Sequence, residues 1–535
     1  MQKYLYLFLS IFTVVTGFYL FLGWSQLPAG HRFIYPIDDV YIHLALAKNF
    51  AEHGVWSINT TGFDSASSSI LYTLLLSFFI KIFGNWEYYP LLINIVSGYL
   101  TVYVIYRYFR DFYGEKELIW ALFLFLLFSL LYVMVVFGME HTLHMFLISI
   151  AIYFIQKNIL EKFRGKSFVV LLIIVFFVSI VRFESMFFTA SLAFALFLRK
   201  NLMQGILILI AGFLPIIIFG MISQNEGGYF FPNSVMIKGN FPAGENFLYS
   251  CWNLFLNGII LNFSFYKWLF FPLLIIFLHL FKKYKRSEIL NLFKNETLII
   301  TIVCTAILHS LFAMLKYRYE NYLMIALLLI SIPIISKYIS EIKWKKFNFT
   351  VFNILNLGSI SFIIFISFYR SGYHHNVLKY CSKGINEQQV EMSRFLHDFY
   401  SGKKVVANDI GAISYFSQVH LFDIVGLGST EVAHLKVASR KLSHREGDVM
   451  TKKFITNFVS ENNYTVAVIY PEWFQPIPAN WIPVASWTIN ERSFGPAIHR
   501  VVFYALKPEE VRALQGNLMK FDLNKNVKQN FYILK

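Results

Sequence analysis

Apolar runs long enough to cross a lipid bilayer recur through the first two-thirds of this sequence. A helix of about 20 apolar residues spans the hydrocarbon core. Hydrophobic residues make up 57% of the 535-residue chain and charged residues 15%, against about 45–50% and 25% in soluble domains. The sequence therefore predicts a polytopic α-helical membrane protein, with spans near 4–24, 88–109, 117–137, 141–158, 167–199 (two spans), 203–222, 264–282, 297–315, 319–338 and 347–369.

One further apolar run, at about 68–84, decides the predicted topology. If it spans, five basic loops face outward; if it does not, all five face the cytoplasm, given a cytoplasmic N-terminus. Since short basic loops stay cytoplasmic, 68–84 is better placed as a helix in or dipping into the outer leaflet. This leaves about 11 transmembrane helices and a first extracytoplasmic loop at about 25–87. The net charge of +16 is then explained by the loops, and no nucleic-acid partner is predicted.

The sequence changes character after residue 369. Strand-like stretches at 405–407, 466–469 and 501–504 are separated by polar, turn-rich segments, a pattern typical of a soluble fold. We predict a transmembrane domain over 1–369 and a C-terminal extracytoplasmic α/β domain over 370–535. Its Trp473, Trp481 and Trp487 are candidates for stacking on sugar rings or, equally, for the core.

With this topology, the unusual polar residues all fall on the outer face of the membrane, which predicts a single site there. They are Asp38, Asp39, His43, Glu140, Arg182, Glu184, Asn233, Lys238, Lys316 and Arg318.

The acidic members of this set are candidates for catalysis. Asp38 and Asp39 precede a stretch with helical spacing of apolar residues, so they open a juxtamembrane helix, and one of them could simply cap it. A carboxylate beside a membrane is a functional candidate, and it could act as a general base. Glu140 is a second candidate catalytic acid. Alternatively, its carboxylate only stabilises the start of a helix by interacting with the helix dipole.

The cationic members are candidates for phosphate binding. A lipid phosphate could be held by Arg182, Lys238, Lys316 and Arg318. The alternative is that these side chains anchor the helix ends to lipid headgroups. Glu184 could form an ion pair with Arg182. His43 and Asn233 complete the candidate site. The histidines and the three cysteines lack metal-ligand spacing, so no metal ligands are predicted. The absence of a nucleotide-binding glycine motif argues against ATP-driven transport and nucleotide-sugar donors.

Seven motifs occur along the chain in a characteristic order. They are Asp38–Gly54, Ser67–Leu76, Gly138–Thr142, Val181–Glu184, Phe231–Lys238, Ala407–Ile413 and Asp423–Leu427. Their order resembles that of bacterial GT-C glycosyltransferases, polytopic enzymes that use polyprenyl-phosphate sugars and keep an essential acid in the first extracytoplasmic loop. The resemblance is greatest to the subgroup that contains the mycobacterial terminal β-(1→2) arabinofuranosyltransferase. Phe183 and the segment 316–319 depart from the pattern.

This resemblance implies a multi-pass glycosyltransferase of the bacterial inner membrane. It would transfer a sugar, with inversion, from a polyprenyl-phosphate donor to a cell-envelope glycan, lipid or protein on the periplasmic face. Asp38 is favoured as the base with Asp39 in support, and a divalent metal, Mg or Mn, remains possible at these acids. The alternatives are a transporter or flippase for lipid-linked sugars, which predicts charges at mid-depth and repeated halves that are not evident here, and a non-catalytic envelope scaffold.

Overall fold

The protein is described from a computed structural model that covers residues 1–28, 30–240, 247–316, 318–342, 348–440, 442–490 and 494–532. Tyr317, part of the predicted 316–319 cluster, lies outside these residues.

The N-terminal three-quarters of the described chain is helical. Its helices are α1 Gln2–Trp24, α2 Asp39–His53, α3 Ile70–Phe83, α4 Tyr89–Phe112, α5 Glu115–Phe128, α6 Leu131–Phe137, α7 His141–Leu160, α8 Gly165–Val181, α9 Ser185–Leu198, α10 Leu202–Asn225, α11 Asn233–Lys238, α12 Phe247–Phe255, α13 Phe263–Phe265, α14 Phe271–Lys283, α15 Ile289–Asn295, α16 Thr297–Phe312, α17 Asn321–Glu341, α18 Val351–Ile385 and α19 Glu391–Tyr400. Short π-helical segments lie at Leu256–Ile260, Tyr266–Phe270 and Asn386–Val390, and a 3-10 turn at Arg286–Glu288.

The chain is a multi-pass membrane protein. In its described parts, eight helical stretches are long and apolar enough to cross a membrane, or nine if α15 and α16, which meet at 92°, count as one span. Each of the eleven predicted spans occurs as a helix. However, α8 and α9 have only 17 and 14 residues, about 26 and 21 Å at 1.5 Å per residue, so the prediction of eleven full-length spans is corrected to eight or nine.

Helix α3 accounts for the run predicted at 68–84. It contains 14 residues and is capped by Ser69, whose hydroxyl accepts a hydrogen bond from the Tyr72 N–H at 3.1 Å. Its length of about 21 Å is less than the roughly 30 Å of a bilayer core. The short length agrees with the prediction that this run does not span.

The last long helix runs past the predicted domain boundary at 369. Helix α18 continues to Ile385 and leads, through a π-helical segment, into α19. Thr350 caps its start by accepting a hydrogen bond from the Asn353 N–H at 3.3 Å. The membrane and C-terminal parts are therefore joined by a continuous helical rod.

The C-terminal part is built on a six-stranded mixed sheet in the order β2-β1-β3-β5-β4-β6. Strands β1, β2 and β3 pair in parallel, and β5, β4 and β6 add antiparallel pairs. The elements are β1 Lys404–Ala407, α20 Gly411–Phe416, β2 His420–Asp423, α21 Thr430–Ser439, α22 His444–Glu461, β3 Val466–Ile469, a 3-10 turn at Pro471–Trp473, β4 Ile482–Thr488, β5 Arg500–Ala505, α23 Glu510–Lys520 and β6 Lys528–Phe531.

The sheet and the first loop share a hydrophobic core. One face of the sheet, with Val405 and Val468, belongs to the same buried cluster as Ile42 and Ile58 from the first loop region. The opposite face packs on α22 through Ile455. The C-terminal part is thereby seated directly over the residues that follow the first membrane helix.

The predicted topology can be tested by cysteine labelling. In a chain whose native cysteines are replaced by serine, Lys403→Cys should react in intact cells with a membrane-impermeant maleimide. Lys166→Cys should react only after permeabilisation, because its loop is basic and is expected to be cytoplasmic. Both native lysines are exposed. The reverse labelling pattern would overturn the assigned orientation.

Candidate active site

The two adjacent aspartates at the start of α2 point to different partners. Asp38 is buried, and its carboxylate accepts hydrogen bonds from the backbone N–H groups of Gly411 and Ala412, at 2.6 and 2.8 Å. A side chain at Gly411 would overlap the Asp38 backbone, so this close approach requires glycine. Asp38 makes no side-chain hydrogen bond to α2, so the prediction that an aspartate caps this helix is wrong. The Asp38 carboxylate instead caps α20 of the C-terminal part.

Asp38 also forms a carboxyl pair with Asp409, which lies just before α20. The two buried carboxyl groups interact electrostatically, and a proton on one of them relieves their mutual repulsion. Burial raises the pKa of Asp38 well above its usual value, and the Asp409 carboxyl raises it further, against the opposing N–H groups. Burial likewise raises the pKa of Asp409, although hydrogen bonds from Gln389 and Tyr470 oppose the shift.

Asp39 lies on the other side of the chain and faces a cavity. Its side chain is 30% exposed and forms an ion pair with Arg318, which lies between α16 and α17. Burial alone would raise the pKa of Asp39, but the positive charges of Arg318 and Lys238 hold it below its usual value. Asp39 is therefore an ionised carboxylate.

Glu140 is the centre of a buried charge network behind this cavity. It sits between α6 and α7, where Gly138 reverses the chain at a φ of 72° with Tyr35 packed against it. Its carboxylate accepts a hydrogen bond from Ser68 at 2.9 Å and pairs with Arg182 and with His43 Nε2, the latter at 3.2 Å. Its negative charge is therefore already compensated.

Arg182 connects this network to the cavity. It lies in the break between α8 and α9 and binds Glu184 through two hydrogen bonds of 3.1 and 2.6 Å, as well as Glu140. Its guanidinium carbon lies 4.9 Å from the ring centre of Tyr319, and that of Arg318 lies 5.4 Å from the same ring. Tyr319 thus offers its ring to both arginines.

The cavity itself has a volume of about 240 Å³. Besides the charged groups, apolar side chains from α9, α11, α16 and the C-terminal part line it, including Phe187, Val235, Phe312 and Leu427. The cavity therefore has a charged end and an apolar wall. The charged and polar lining residues are Asp39, His43, Ser68, Arg182, Glu184, Ser234, Lys238, Arg318 and Tyr319.

A second cavity, of about 570 Å³, opens beside the first. The two share Lys238, Met314, Arg318 and Tyr319. Lys316 lines only this second space, together with the further cations Lys267 and Arg370, and the ring of Trp268. The four predicted cations are thus divided, with Arg182 in the first cavity, Lys316 in the second, and Lys238 and Arg318 at their junction.

The remaining candidate, Asn233, has a positioning role. Its backbone N–H donates to Ser65 O at 3.0 Å, and its side-chain amide donates to Leu427 O at 3.3 Å. It therefore fastens the start of α11 to the first loop and to the C-terminal part. Of the ten predicted residues, six line the first cavity and Lys316 lines the second. Asp38 and Asn233 hold the C-terminal part in place, and Glu140 supports Arg182 and His43 from behind.

In the described part of the chain, the acids are not grouped as the ligands of a divalent metal would be. Among the described residues, no group of three or more His, Cys, Asp or Glu side chains is arranged to hold a metal ion. The nearest partners of Asp39 are the cations Arg318 and Lys238, whose charges would repel a dication. Asp38 is occupied by backbone N–H groups and by Asp409.

Part of the chain matches a known sequence family, and nearly all of it matches solved structures. Residues 382–504 match the family DUF8728, a domain of unknown function. No curated protein sequence matches the chain. Among solved structures, ArnT from Cupriavidus metallidurans bound to undecaprenyl phosphate is similar over 95% of this chain and 99% of its own, with a TM-score of 0.54 and 12% identity. The apo state of ArnT gives a TM-score of 0.52, also at 12% identity, over 95% and 98%.

The chain has the fold of ArnT. ArnT is a polytopic GT-C membrane protein, so the predicted fold class, helical membrane domain plus C-terminal sheet domain, is confirmed. At this level of identity the likeness concerns the fold, and the resemblance to the arabinofuranosyltransferase subgroup stays a prediction.

Three residues of the site region were not among the sequence candidates. Asp409 and Tyr319 lie in motifs that the sequence analysis had singled out, so a signal existed, but nothing in the sequence indicated which neighbour faces inward. Arg370 lies beyond the predicted end of the last span, and its guanidinium donates to Glu320 Oε1 at 3.2 Å and Phe128 O at 2.9 Å. Arg370 is about 28 Å along the helix from Val351.

The Asp38–Asp409 pair predicts a pH-dependent stability. Because both native pKa values lie above the unfolded value of 3.8, the folded state binds more protons, and stability falls as pH rises from about 4 towards the native values. Asp409→Asn removes one titrating group but keeps a hydrogen-bonding side chain. Thermal unfolding of the purified protein from about pH 5 to pH 8 should therefore depend less on pH in this variant.

Asp522→Asn is the matched control, since Asp522 is exposed in the same domain, and it should keep the wild-type pH slope. Equal slopes for Asp409→Asn and the wild type would contradict the raised pKa values of the Asp38–Asp409 pair.

Proposed function

We propose that this protein is a membrane glycosyltransferase that takes a sugar from a polyprenyl-phosphate donor and transfers it to a hydroxyl group of an acceptor. The proposal is supported first by the cavity, in which an ionised aspartate lies beside three cations and an apolar wall. It is supported second by the fold, shared with ArnT, a structure of which holds undecaprenyl phosphate.

In this proposal the donor phosphate binds at the junction of the two cavities. Arg318 and Lys238 line both spaces and lie next to the acid. Arginine binds phosphate oxygens in pairs, and lysine adds a mobile charge. The lipid chain leaves along the apolar lining towards the membrane. The same cations stabilise the negative charge that develops on the phosphate as the sugar departs.

Asp39 is the general base in this account. An acceptor hydroxyl attacks the anomeric carbon as the bond from that carbon to the phosphate oxygen breaks, Asp39 takes the hydroxyl proton, and polyprenyl phosphate leaves. A single displacement of this kind inverts the anomeric configuration. This assignment differs from the sequence prediction that favoured Asp38, because Asp38 is turned towards α20.

Donor binding would activate this base. In the free protein, Arg318 and Lys238 lower the pKa of Asp39, which keeps it ionised but makes it a weak base. A phosphate group that recruits the two cations would neutralise part of their charge, and the pKa of Asp39 would rise towards a more effective value. Proton removal from the acceptor would thereby be favoured only when a donor is present.

Glu140 supports the site rather than taking part in proton transfer. Its Oε1 accepts hydrogen bonds from Ser68 and Arg182, and its Oε2 lies 3.2 Å from His43 Nε2 in an ion-pair contact. It fixes Arg182 and His43 along the cavity wall, with Glu184 bound to the opposite edge of the same guanidinium. We also propose that the protein resides in the bacterial inner membrane and transfers the sugar to a cell-envelope acceptor on the periplasmic face.

The observation that carries the proposal is the ion pair between Asp39 and Arg318 in a cavity with an apolar wall. Asp39→Asn should reduce transfer of radiolabelled sugar from a polyprenyl-phosphate donor by at least about 100-fold, the range seen when a general base is removed. Donor binding, measured separately with undecaprenyl phosphate, should persist because the cations remain.

Asp398→Asn, at an exposed position on α19, is the control and should transfer at the wild-type rate. Wild-type transfer by Asp39→Asn would remove Asp39 as the base. Failure of the wild-type protein to bind undecaprenyl phosphate or to use any polyprenyl-phosphate sugar would reject the proposed function.

A further inference from the structure

Two polar grooves on the surface connect with the candidate active site. The first groove, of about 450 Å³, shares Lys238 and Gly239 with the active-site cavity. The second groove, of about 510 Å³, lies on the C-terminal part and shares Arg440 with the first. The described residues thus outline a continuous path from the C-terminal part to Asp39.

The first groove is lined by amide and hydroxyl groups. Ser250, Asn253 and Asn257 line it from α12 and the π-helical segment that follows, together with Asn240. The spacing of 250, 253 and 257 places these side chains on one helical face. The other face of α12 carries exposed Leu248 and Trp252, which suits an interfacial helix with its apolar side in lipid.

The groove wall on the opposite side is fixed by a contact between the two parts of the chain. Arg440, at the end of α21, donates a hydrogen bond from Nη2 to the Ile237 carbonyl at 2.8 Å. Ile237 directly precedes Lys238. The C-terminal part therefore holds the end of α11 that carries one of the active-site cations.

The second groove contains an exposed tryptophan. Trp473 is 47% exposed, whereas Trp481 and Trp487 are buried in the core. Its ring packs edge-on against Tyr470, with 5.2 Å between ring centres, and Thr451, Lys452 and Gln475 also line the groove. A fixed aromatic ring surrounded by polar groups provides one face for stacking and several partners for hydrogen bonds.

We infer that these two grooves form a binding track for an acceptor oligosaccharide, which stacks on Trp473, crosses Arg440 and the α12 amides, and presents its terminal hydroxyl to Asp39. Sugar rings carry both an apolar C–H face and many hydroxyl groups, which matches an exposed aromatic ring followed by a row of amides. The inference rests on the proposed function and names its acceptor class. A lipid acceptor with a short headgroup would not need a track across the C-terminal part.

The track can be tested by binding alone, in the absence of donor. The probes are oligosaccharide fragments of graded length, released from the envelope polysaccharide of the producing cells, and their binding to the full-length protein in detergent is measured calorimetrically. Trp473→Ala should weaken binding of long fragments about tenfold and leave undecaprenyl phosphate binding unchanged. The double variant Asn253→Ala/Asn257→Ala should weaken binding of the same fragments.

Trp86→Ala is the control, since Trp86 is similarly exposed but lies before α4, away from the track, and it should bind as the wild type does. Equal binding by Trp473→Ala and the wild type, or no fragment binding by the wild type, would overturn the track. Oligosaccharide binding without use of any polyprenyl-phosphate donor would instead uphold the track and reject the proposed function.

Discussion

Compensation of buried charge at Glu140 organises the end of the membrane domain that faces the C-terminal part. Glu140 is inaccessible to solvent, and leaving such a group unpaired costs several kcal/mol. Its partners come from three separate segments: His43 from α2, Ser68 from the first loop and Arg182 from the α8–α9 break. Because they must converge on one carboxylate, the helices carrying them are fixed relative to one another, and Arg182 is presented to the cavity in a defined position.

A second constraint acts between the membrane domain and the C-terminal part. Asn59 exchanges two hydrogen bonds with the Leu421 backbone, at 3.0 and 2.8 Å, and Asp64 accepts hydrogen bonds from Thr430. Together with the Asp38–Asp409 pair, these contacts place Leu427 on the cavity wall. The C-terminal part is therefore a structural component of the site, and adjacent aspartates have separate tasks: Asp38 holds the domain while Asp39 faces the cavity.

Much of this arrangement was predictable because hydrophobicity and charge act locally. Apolar runs predicted the membrane helices, and β1, β3 and β5 followed from their apolar and β-branched residues. The orientation that the basic loops indicate stays a prediction. Strands β2, β4 and β6 were missed, since their residues lack clear alternation and are stabilised by pairing in the sheet. The choice between Asp38 and Asp39 was not predictable, because it depends on the contact with α20, some 370 residues away in the chain. The continuation of α18 past 369 was also missed, because a polar helix beyond the membrane resembles a soluble segment.

The most direct test of the account is an experimental structure of the protein in lipid nanodiscs with undecaprenyl phosphate. The account predicts the phosphate at the junction of the two cavities, within hydrogen-bonding distance of Arg318 and Lys238 and next to Asp39, with the first isoprene units against the apolar wall. A phosphate bound away from these side chains, or an Asp39 carboxylate that remains sealed from the bound lipid, would contradict it.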